Sequence, residues 1–341
     1  MNEYLPSVRK RKRTLLIVEG DHEKNILFKV LFDVFPELNI VYDDVWIYGT
    51  NIYVLYQDII KEYGEDWTEH DDDIDLPFVV SKKKTPNQLA YKEDFSDIFL
   101  VFDYERQDPG FSEEKIVKLQ NHFYDSTDMG KLYINYPMVE SYQHFKSLPD
   151  PLFENRYVSV KMRNGGEYKD KVHNIKAISD IIWFPHKIDE ILRTRYGVVD
   201  NKNRIECVDR ILNIHNKNNL QEEVYSIIEK EVEGRNAITC KCQLIHMIDR
   251  MDYIENGYSY MEYAREILKK IIYFNICKAN KITHGVYTIV KENYRNTYSQ
   301  LDPTEILEKQ NEASRDDMNG IIWVLNTCVF IIADYKFSLV E

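Results

Sequence analysis

Residues 14–32 read TLLIVEGDHEKNILFKVLF, and this stretch contains the clearest structural signal in the chain. Its first five residues form a short apolar run, which is typical of a strand buried on both faces of a parallel sheet. After Glu19 and Gly20, apolar side chains recur at helical spacing, at Ile26, Leu27, Val30, Leu31 and Val34. The stretch therefore predicts a buried strand that passes through an acid and a glycine into an amphipathic helix.

Strand and helix signals continue to alternate as far as about residue 145. Apolar segments predict further strands at 40–49, 98–102 and 131–137, and amphipathic segments predict helices at 52–64, 112–125 and 138–145. Alternation of this kind implies a parallel sheet with helices on both faces and right-handed crossovers. We therefore predict an α/β fold with a Rossmann-like parallel sheet in residues 1–150.

A polar insertion at about 64–94 interrupts this pattern. Eight acidic residues and no lysine or arginine lie within 62–75, and Lys82, Lys83 and Lys84 follow shortly after. Opposite charge blocks of this kind usually belong to a solvated loop. The alternative is that the three lysines contact the phosphates of a nucleic acid.

The remainder of the chain, residues 151–341, carries mainly helical signals. We place a domain boundary near residue 150, in the segment SLPDPLFENRY. Two exceptions stand out in the second domain. Residues 155–170 predict a hairpin, and the apolar segment GIIWVLNTCVFIIA at 320–333 predicts a buried helix or strand.

The composition is that of a globular protein with an excess of acids. The chain is 44% hydrophobic and 30% charged, with a net charge of −13. A protein that coats nucleic acid through its whole surface would be basic. The charge therefore argues against passive coating, although a nuclease whose acids hold metal ions remains compatible with it.

The number of cysteines and the apolar segments indicate the compartment. The cysteines number five, and the chain shows neither a secretory hydrophobic segment nor an apolar run long enough to span a bilayer. We expect reduced thiols, a cytoplasmic location and no membrane partner.

Acidic residues recur at the ends of the predicted strands. Glu19 ends the first strand, Asp103 and Glu105 end the third, and Glu140 follows the fourth. Ligands bind at the carboxyl ends of the strands in an open parallel sheet. Asp103 and Glu105 share a face if the chain is extended there. Glu23 lies one turn into the first helix and is positioned to join the group.

Clustered carboxylates repel one another, and a divalent cation removes that conflict. Oxygen ligands of this type suit Mg²⁺ or Mn²⁺, which can bind a phosphodiester and activate water. A second interpretation stays open, since an acid at a strand end often caps a helix or is simply solvated. Glu23, for example, would favour the N-terminus of its helix in any case.

Two motifs resemble the Toprim fold, which topoisomerases, bacterial primases, ribosomal-RNA maturases and OLD-type nucleases share. LLIVEGDHEKNIL, residues 15–27, resembles the first Toprim motif, an apolar strand followed by Glu-Gly and a helix. Asp103-Tyr104-Glu105 resembles the Asp-x-Asp motif, with Glu105 in place of the second aspartate. That departure keeps the carboxylate chemistry but changes its reach and metal geometry.

The resemblance covers roughly the first 145 residues and is closest to anti-phage effectors. The spacing from Glu19 to Glu23, and the Pro and Glu in INYPMVESYQHF, are similar to OLD-type nucleases and to AriB-like (PARIS), RloB-like and AbiL-like abortive-infection proteins. This resemblance implies that Glu140 is an active-site acid. It also implies a Mg²⁺-dependent endonuclease that acts as a defence or toxin effector on RNA, tRNA included, or on DNA.

The resemblance also suggests partners. In several such systems an ABC-type or AAA-type ATPase controls the nuclease, and this sequence has no Walker A motif of its own. An ATP-driven step would therefore need a partner, and assembly into a homo-oligomer stays open. A second hypothesis is a catalytically silent Toprim module that binds such an ATPase or a nucleic acid. The substitution at Glu105 and the acidic net charge keep that hypothesis open.

Overall fold

The computed structural model describes residues 13–69, 74–251 and 253–341. Its central sheet consists of β1 (Arg13–Val18), β2 (Val45–Ile47), β3 (Phe95–Asp103), β4 (Tyr124–Asp125) and β5 (Gly130–Asn135). The order across the sheet is β2-β1-β3-β5-β4, and every pair is parallel except β4 with β5. The predicted α/β fold with a mostly parallel sheet is confirmed at this level.

The register of the central strands brings their carboxyl ends level. Val18 lies opposite Val101 in the pairing of β1 with β3, and Asp103 lies opposite Asn135 in the pairing of β3 with β5. The ladder continues one residue past β1, because the Glu19 amide donates to the Val101 carbonyl at 3.2 Å. Glu19 and Asp103 are thereby fixed at the same edge of the sheet.

Helices cover this sheet as the apolar periodicity predicts. A π-helical turn at Glu23–Phe28 runs directly into α1 (Lys29–Val34), and the following helices are α2 (Ile52–Tyr63), α3 (Leu76–Lys84) and α4 (Glu113–His122). Helices α2 and α4, like α3, begin with a side-chain cap of the usual kind. Asn51 accepts from the Val54 amide at 3.1 Å and Ser112 from the Lys115 amide at 3.4 Å.

The prediction of a solvated loop in the polar insertion is wrong over Leu76–Lys84, which form a helix. Helix α3 lies inside the insertion and is capped by Asp75, whose carboxylate accepts from the Phe78 amide at 2.9 Å. Trp67, Ile74 and Val80 are buried in the same core as the sheet. The acids at 71–73 lie outside the described residues. Apolar side chains scattered among the charges thus anchor the insertion, although the overall composition is polar.

The second half of the chain is mainly helical, as predicted. Its helices are α5 (Lys169–His173), α6 (Lys176–Ile182), α7 (Phe184–Thr194), α8 (Asn201–Leu212), α9 (Leu220–Ile228), α10 (Gly234–Asp249), α11 (Tyr260–His284), α12 (Tyr294–Ser299), α13 (Pro303–Ser314) and α14 (Ile331–Tyr335). All five cysteines are free thiols. Across the described ranges, no helix combines the length and the apolar character needed to cross a membrane.

The predicted hairpin at 155–170 is wrong, because its strand pairs with a distant segment. Strand β6 (Tyr157–Ser159) pairs antiparallel with β7 (Ile321–Trp323), with Val158 opposite Ile322. Strand β7 takes up the start of the apolar segment at 320–333, which was expected to form a helix or a strand. The pairing ties the last part of the chain to the region just after residue 150.

The two predicted domains are joined by many contacts. The Tyr104 hydroxyl donates to Asn311 Oδ1 at 2.6 Å, and the Thr327 hydroxyl donates to the Ile134 carbonyl at 2.8 Å. Buried apolar residues from both halves form one continuous cluster. The boundary near residue 150 stays a prediction, since these contacts describe how the halves pack and not whether each folds alone.

Candidate metal centre

Glu19 and Asp103 form the base of the candidate site, and backbone hydrogen bonds hold both carboxylates. Glu19 Oε2 accepts from the Asp103 amide at 3.2 Å. Asp103 is 4% exposed, and its Oδ1 accepts from the Val139 amide at 2.8 Å. The second contact joins the end of β3 to the segment that carries Glu140. The structure therefore brings together the ends of the first and third predicted strands, as the sheet argument expects.

Glu23 lies beside this pair, at the start of the π-helical turn. It is 4% exposed although it is a carboxylate. A side chain at Gly20 would crowd it, because a Cβ there would lie 3.3 Å from Glu23 Oε2. Single π-helical turns within helices frequently occur at functional sites. The glycine after Glu19 thus leaves the space in which the Glu23 carboxylate sits.

Glu105 reaches the site by a different route from the one predicted. Strand β3 ends at Asp103, and Glu105 adopts a positive φ of 36°. The two acids therefore do not share a face through extended spacing. Glu105 Oε2 instead accepts from Asn51 Nδ2 at 3.3 Å, and the same amide donates to Asp108 Oδ2 at 2.7 Å. The cap of α2 thus orients two acids of the loop after β3.

Glu140 lies on a short 3₁₀ helix, Val139–Gln143, inside the segment 138–145 that was predicted to be helical. It is 4% exposed, and its Oε1 forms an ion pair with Lys169 Nζ at 2.9 Å. Among the described residues, Glu140 Oε2 has no hydrogen-bond partner. His22 Nδ1 lies 4.0 Å from Oε1. One oxygen of a buried carboxylate is therefore left without a donor, which is uncommon in a protein interior.

The acids raise one another's pKa. Burial, followed by the charge of Glu105, raises the pKa of Glu19 to about 8. Burial and the charge of Glu140 raise the pKa of Glu23 to about 7. The pKa of Asp103 rises well above its ordinary value, first through burial and then through the charge of Glu19. Burial and the charges of neighbouring acids thus both raise the pKa of these three carboxyls.

Some chemical features of the donor set fit a divalent cation. The ligands on offer are carboxylate oxygens, which Mg²⁺ and Mn²⁺ prefer, and one buried oxygen lacks a partner. In the arrangement seen, however, no three or more His, Cys, Asp or Glu side chains in the described part of the chain are placed to hold an ion. The acid-bearing segments meet at the carboxyl edge of the sheet, whereas their carboxylate groups do not surround a common point.

The three candidate lysines differ in their surroundings. Lys82 pairs with Glu62 at 2.7 Å, and Lys83 pairs with Asp58 at 2.7 Å. Lys84 is exposed, and its Nζ lies 2.9 Å from the position that a Cβ on Gly49 would occupy. Two of the three ammonium groups are therefore already neutralised by acids of α2.

Three residues near the acids were missed from the sequence. His22 lies within the first motif, and its place between the acids Asp21 and Glu23 was the only signal available. Its Nε2 lies 3.3 Å from the Tyr142 hydroxyl, and burial lowers its pKa. Asn51 follows the second strand and reads as an ordinary helix cap. Lys169 comes from the second half of the chain, where no motif marks it.

Comparisons with models of known families, with curated proteins and with solved structures found no match. The class of protein is therefore defined by fold and site alone. It is an α/β protein that buries a cluster of carboxylates at the carboxyl edge of a mostly parallel sheet.

Proposed function

We propose that this protein is a divalent-cation-dependent nuclease of the Toprim type, which hydrolyses phosphodiester bonds in RNA or DNA. The observation that supports this proposal is the cluster itself. Asp103 feels the charges of Glu19, Glu23, Glu105 and Glu140 in a buried setting. Buried like charges are costly unless a cation compensates them. Mutually perturbed acids at a strand edge are typical of functional sites.

Each acid has a proposed task. Glu19, Asp103 and Glu105 would hold Mg²⁺ or Mn²⁺, with Glu19 also placed to accept a proton from the attacking water. Glu23 and Glu140 would complete or orient the site. When bound, the metal ion would polarise the phosphodiester and lower the pKa of a coordinated water. The backbone donors at Asp103 and Val139 keep two of the carboxylates in place before any ion arrives.

The experiment compares wild-type protein with Glu19→Gln and Asp103→Asn. Labelled tRNA, single-stranded RNA and duplex DNA are incubated with each protein in Mg²⁺, in Mn²⁺ and in EDTA. We expect wild type to cleave one substrate class in a metal-dependent way. Both variants should lose at least roughly 100-fold in cleavage activity, because loss of a direct metal ligand costs more than loss of a residue that only supports a ligand. Glu222→Gln, which removes an exposed acid of α9, serves as the matched control and keeps full activity.

The biological part of the proposal is a defence or toxin effector controlled by an ATPase. It rests on the resemblance of the first 145 residues, and expression in bacteria tests it. Growth arrest on induction, with cleaved tRNA or nicked DNA in the arrested cells, should disappear in Glu19→Ala. Arrest that persists unchanged in Glu19→Ala would remove the catalytic assignment.

A second candidate function is a non-catalytic module that binds a partner ATPase or a nucleic acid. Two observations favour it: the ion pair between Lys169 and Glu140, and the absence from the described residues of three acids arranged around an ion. A wild-type chain that binds no Mn²⁺ in a calorimetric titration, and cleaves none of the substrates with the partner present, would select this function over the nuclease.

A further inference from the structure

The segment 161–176 carries an excess of positive charge in a chain that is acidic overall. It contains five basic and two acidic residues, whereas the whole chain has a net charge of −13. All five basic side chains are exposed, and they are named here the basic strip: Lys161, Arg163, Lys169, Lys171 and Lys176. An exposed positive patch on an acidic protein attracts a polyanion to one place on its surface.

Most of the basic strip is not neutralised by ion pairs. Lys169 pairs with Glu140 at 2.9 Å. Among the residues that the structure describes, three other members of the strip form no ion pair, namely Arg163, Lys171 and Lys176. Two of the three lysines at 82–84, by contrast, are paired with acids of α2. The strip therefore offers a phosphate more available charge than those lysines do.

Two contacts place the basic strip beside the acid cluster. Near its start, Gln107 Nε2 donates to the Met162 carbonyl at 2.9 Å, and Gln107 belongs to the loop after β3 that also carries an acid of the cluster. In its middle, Lys169 Nζ lies 2.9 Å from Glu140 Oε1. A chain held by the strip would therefore lie next to the buried carboxylates.

Aromatic rings lie at the far end of the basic strip, where α6 ends. Trp183 directly follows α6 and is partly exposed, and its ring centroid lies 5.6 Å from that of His22 in the first motif. The exposed rings of His173 and His186 lie 6.5 and 5.5 Å from it. Within the described ranges, Trp183 Nε1 is buried and has no hydrogen-bond partner. Exposed rings beside a basic groove are the groups on which unpaired bases stack.

We propose that the basic strip and Trp183 form the surface that binds the substrate, and that this substrate is a single-stranded nucleic acid or an unpaired segment of one. Arg163, Lys171 and Lys176 contact its phosphates, and Trp183 with His173 stacks on an unpaired base. A duplex keeps its bases stacked inside and gains only the phosphate contacts. This inference rests on the proposed function in taking a nucleic acid as substrate, but binding at this surface needs no metal ion.

An anionic membrane also presents phosphates, but this segment lacks the apolar face that such a partner requires. A helix that lies on a membrane inserts exposed apolar side chains between the lipids. Here Tyr168 and Val172 are 0% and 1% exposed, and α5 is only five residues long. The surface thus fits a polyanion that is held by charge and by stacking.

The experiment measures binding in EDTA, so that no metal-dependent cleavage occurs. Fluorescence anisotropy follows labelled single-stranded RNA, single-stranded DNA and duplex DNA of equal length at several salt concentrations. We expect wild type to bind a single strand about 10-fold more tightly than the duplex. The triple variant Arg163→Gln/Lys171→Gln/Lys176→Gln should bind single strands roughly 100-fold more weakly at about 0.1 M salt. Its dependence of log K on log salt should be shallower by about 2, because each phosphate contact contributes about 0.7.

A second triple variant removes the same charge elsewhere. Lys202→Gln/Lys230→Gln/Arg235→Gln changes three exposed residues on or next to helices α8, α9 and α10, and it should bind as wild type does. Stacking has its own readout, because single-stranded RNA should quench the fluorescence of Trp183. The change should disappear in Trp183→Phe, which keeps three other tryptophans. Circular dichroism confirms the fold of each variant.

The outcomes separate this inference from the function beneath it. Equal affinity of the two triple variants would overturn the inference, since binding would then follow net charge and not the basic strip. Duplex DNA bound as tightly as single strands, without quenching at Trp183, would overturn it as well. So would binding to phosphatidylserine vesicles, and to no nucleic acid, through the strip. Single-strand binding that depends on the strip, in a protein that cleaves nothing in Mg²⁺ or Mn²⁺, would uphold the inference and overturn the nuclease.

Discussion

At the scale of single residues, Glu105 is unusual because a non-glycine residue holds a positive φ. Left-handed backbone costs an ordinary residue about 1–2 kcal/mol, since its Cβ crowds the following carbonyl. Here the φ of 36° turns the chain just after β3, and the carboxylate comes to rest against Asn51 and near Glu19. Strain of this kind persists where the surrounding structure imposes it, and it clusters at functional sites.

A pair of substitutions separates the strain from the carboxylate. Glu105→Ala removes the carboxylate and keeps the crowded Cβ, whereas Glu105→Gly removes both. We expect Glu105→Gly to be more stable than Glu105→Ala by about 1 kcal/mol in EDTA, because glycine adopts positive φ without a steric penalty. Both should bind Mn²⁺ at least roughly 10-fold more weakly than wild type. Urea denaturation and Mn²⁺ titration measure the two effects.

Equal stability of these two variants would show that the backbone at residue 105 carries no strain. Unchanged Mn²⁺ affinity in both would remove Glu105 from the ligand set, whatever their stability. The two readouts therefore test the backbone and the carboxylate independently.

The placement of a candidate site residue could be predicted from the sequence where strand pairing alone fixes it. Glu19 and Asp103 follow buried apolar runs, and parallel pairing then brings their ends together regardless of other details. Lys169 could not be predicted, because it reaches Glu140 only through tertiary packing across the two halves of the chain. The extended geometry predicted for Glu105 is wrong, since nothing in the sequence signals that a glutamate will turn left-handed.

At the scale of elements, helix α11 holds the connection between the two halves through one buried lysine. Lys278 is 0% exposed and donates to the carbonyls of Phe153, Glu154 and Arg156, at 3.1, 2.6 and 3.1 Å. Burial, reinforced by the charges of Lys281 and Arg156, lowers its pKa to about 7. These carbonyls belong to the chain between the Glu140 segment and β6, so α11 fixes that chain.

We expect Lys278→Met to lower the free energy of unfolding by about 2–4 kcal/mol, because buried carbonyls would lose their donor. Methionine keeps most of the side-chain length and apolar stem. Lys270→Met, at an exposed position of the same helix, should change stability by no more than about 0.5 kcal/mol. Guanidinium denaturation at pH 7 measures both. Equal stability of the two variants would mean that water replaces the ammonium at no cost.

The elements that the sequence predicted best are those with strong local periodicity. Strands β1, β3 and β5 and helices α2 and α4 were found within a few residues of their observed limits. Helix α3 was missed because its polar surroundings conceal a short capped segment that is stabilised by packing. The pairing of β6 with β7 was missed because the strands are short and far apart in sequence, so only the packed core brings them together.

At the scale of the whole molecule, the buried acids should make metal-free stability depend on pH. The pKa of Glu19 is about 8 and that of Glu23 about 7, both above the unfolded value of 4.5. At pH values between 4.5 and about 8, the folded state therefore holds more protons on these two acids than the unfolded state does. Their contribution to stability is complete below pH 4.5 and is lost as the pH rises through 7 and 8.

The last prediction compares wild type with the double variant Glu19→Gln/Glu23→Gln between pH 5 and 8 in EDTA. Glutamine mimics the protonated acid, so the variant should gain stability relative to wild type as the pH rises. Each group that releases a full proton contributes a slope of about 1.4 kcal/mol per pH unit. The difference between the proteins is used because His144 and Lys278, with pKa values lowered to about 3 and about 7, contribute slopes of opposite sign.

Adding Mg²⁺ at about 100 times its dissociation constant should then restore roughly 2.7 kcal/mol to wild type at pH 8 and much less to the double variant. The reason is that the ion replaces the protons that the buried acids have lost, whereas glutamines offer no charge for it to compensate. Thermal unfolding at each pH, with and without Mg²⁺, provides both comparisons. A difference between the proteins that stays flat from pH 5 to 8 would show that these acids titrate alike in the folded and unfolded chains. In that case the carboxylates would be solvated surface groups, and the proposed metal centre would lose its electrostatic basis.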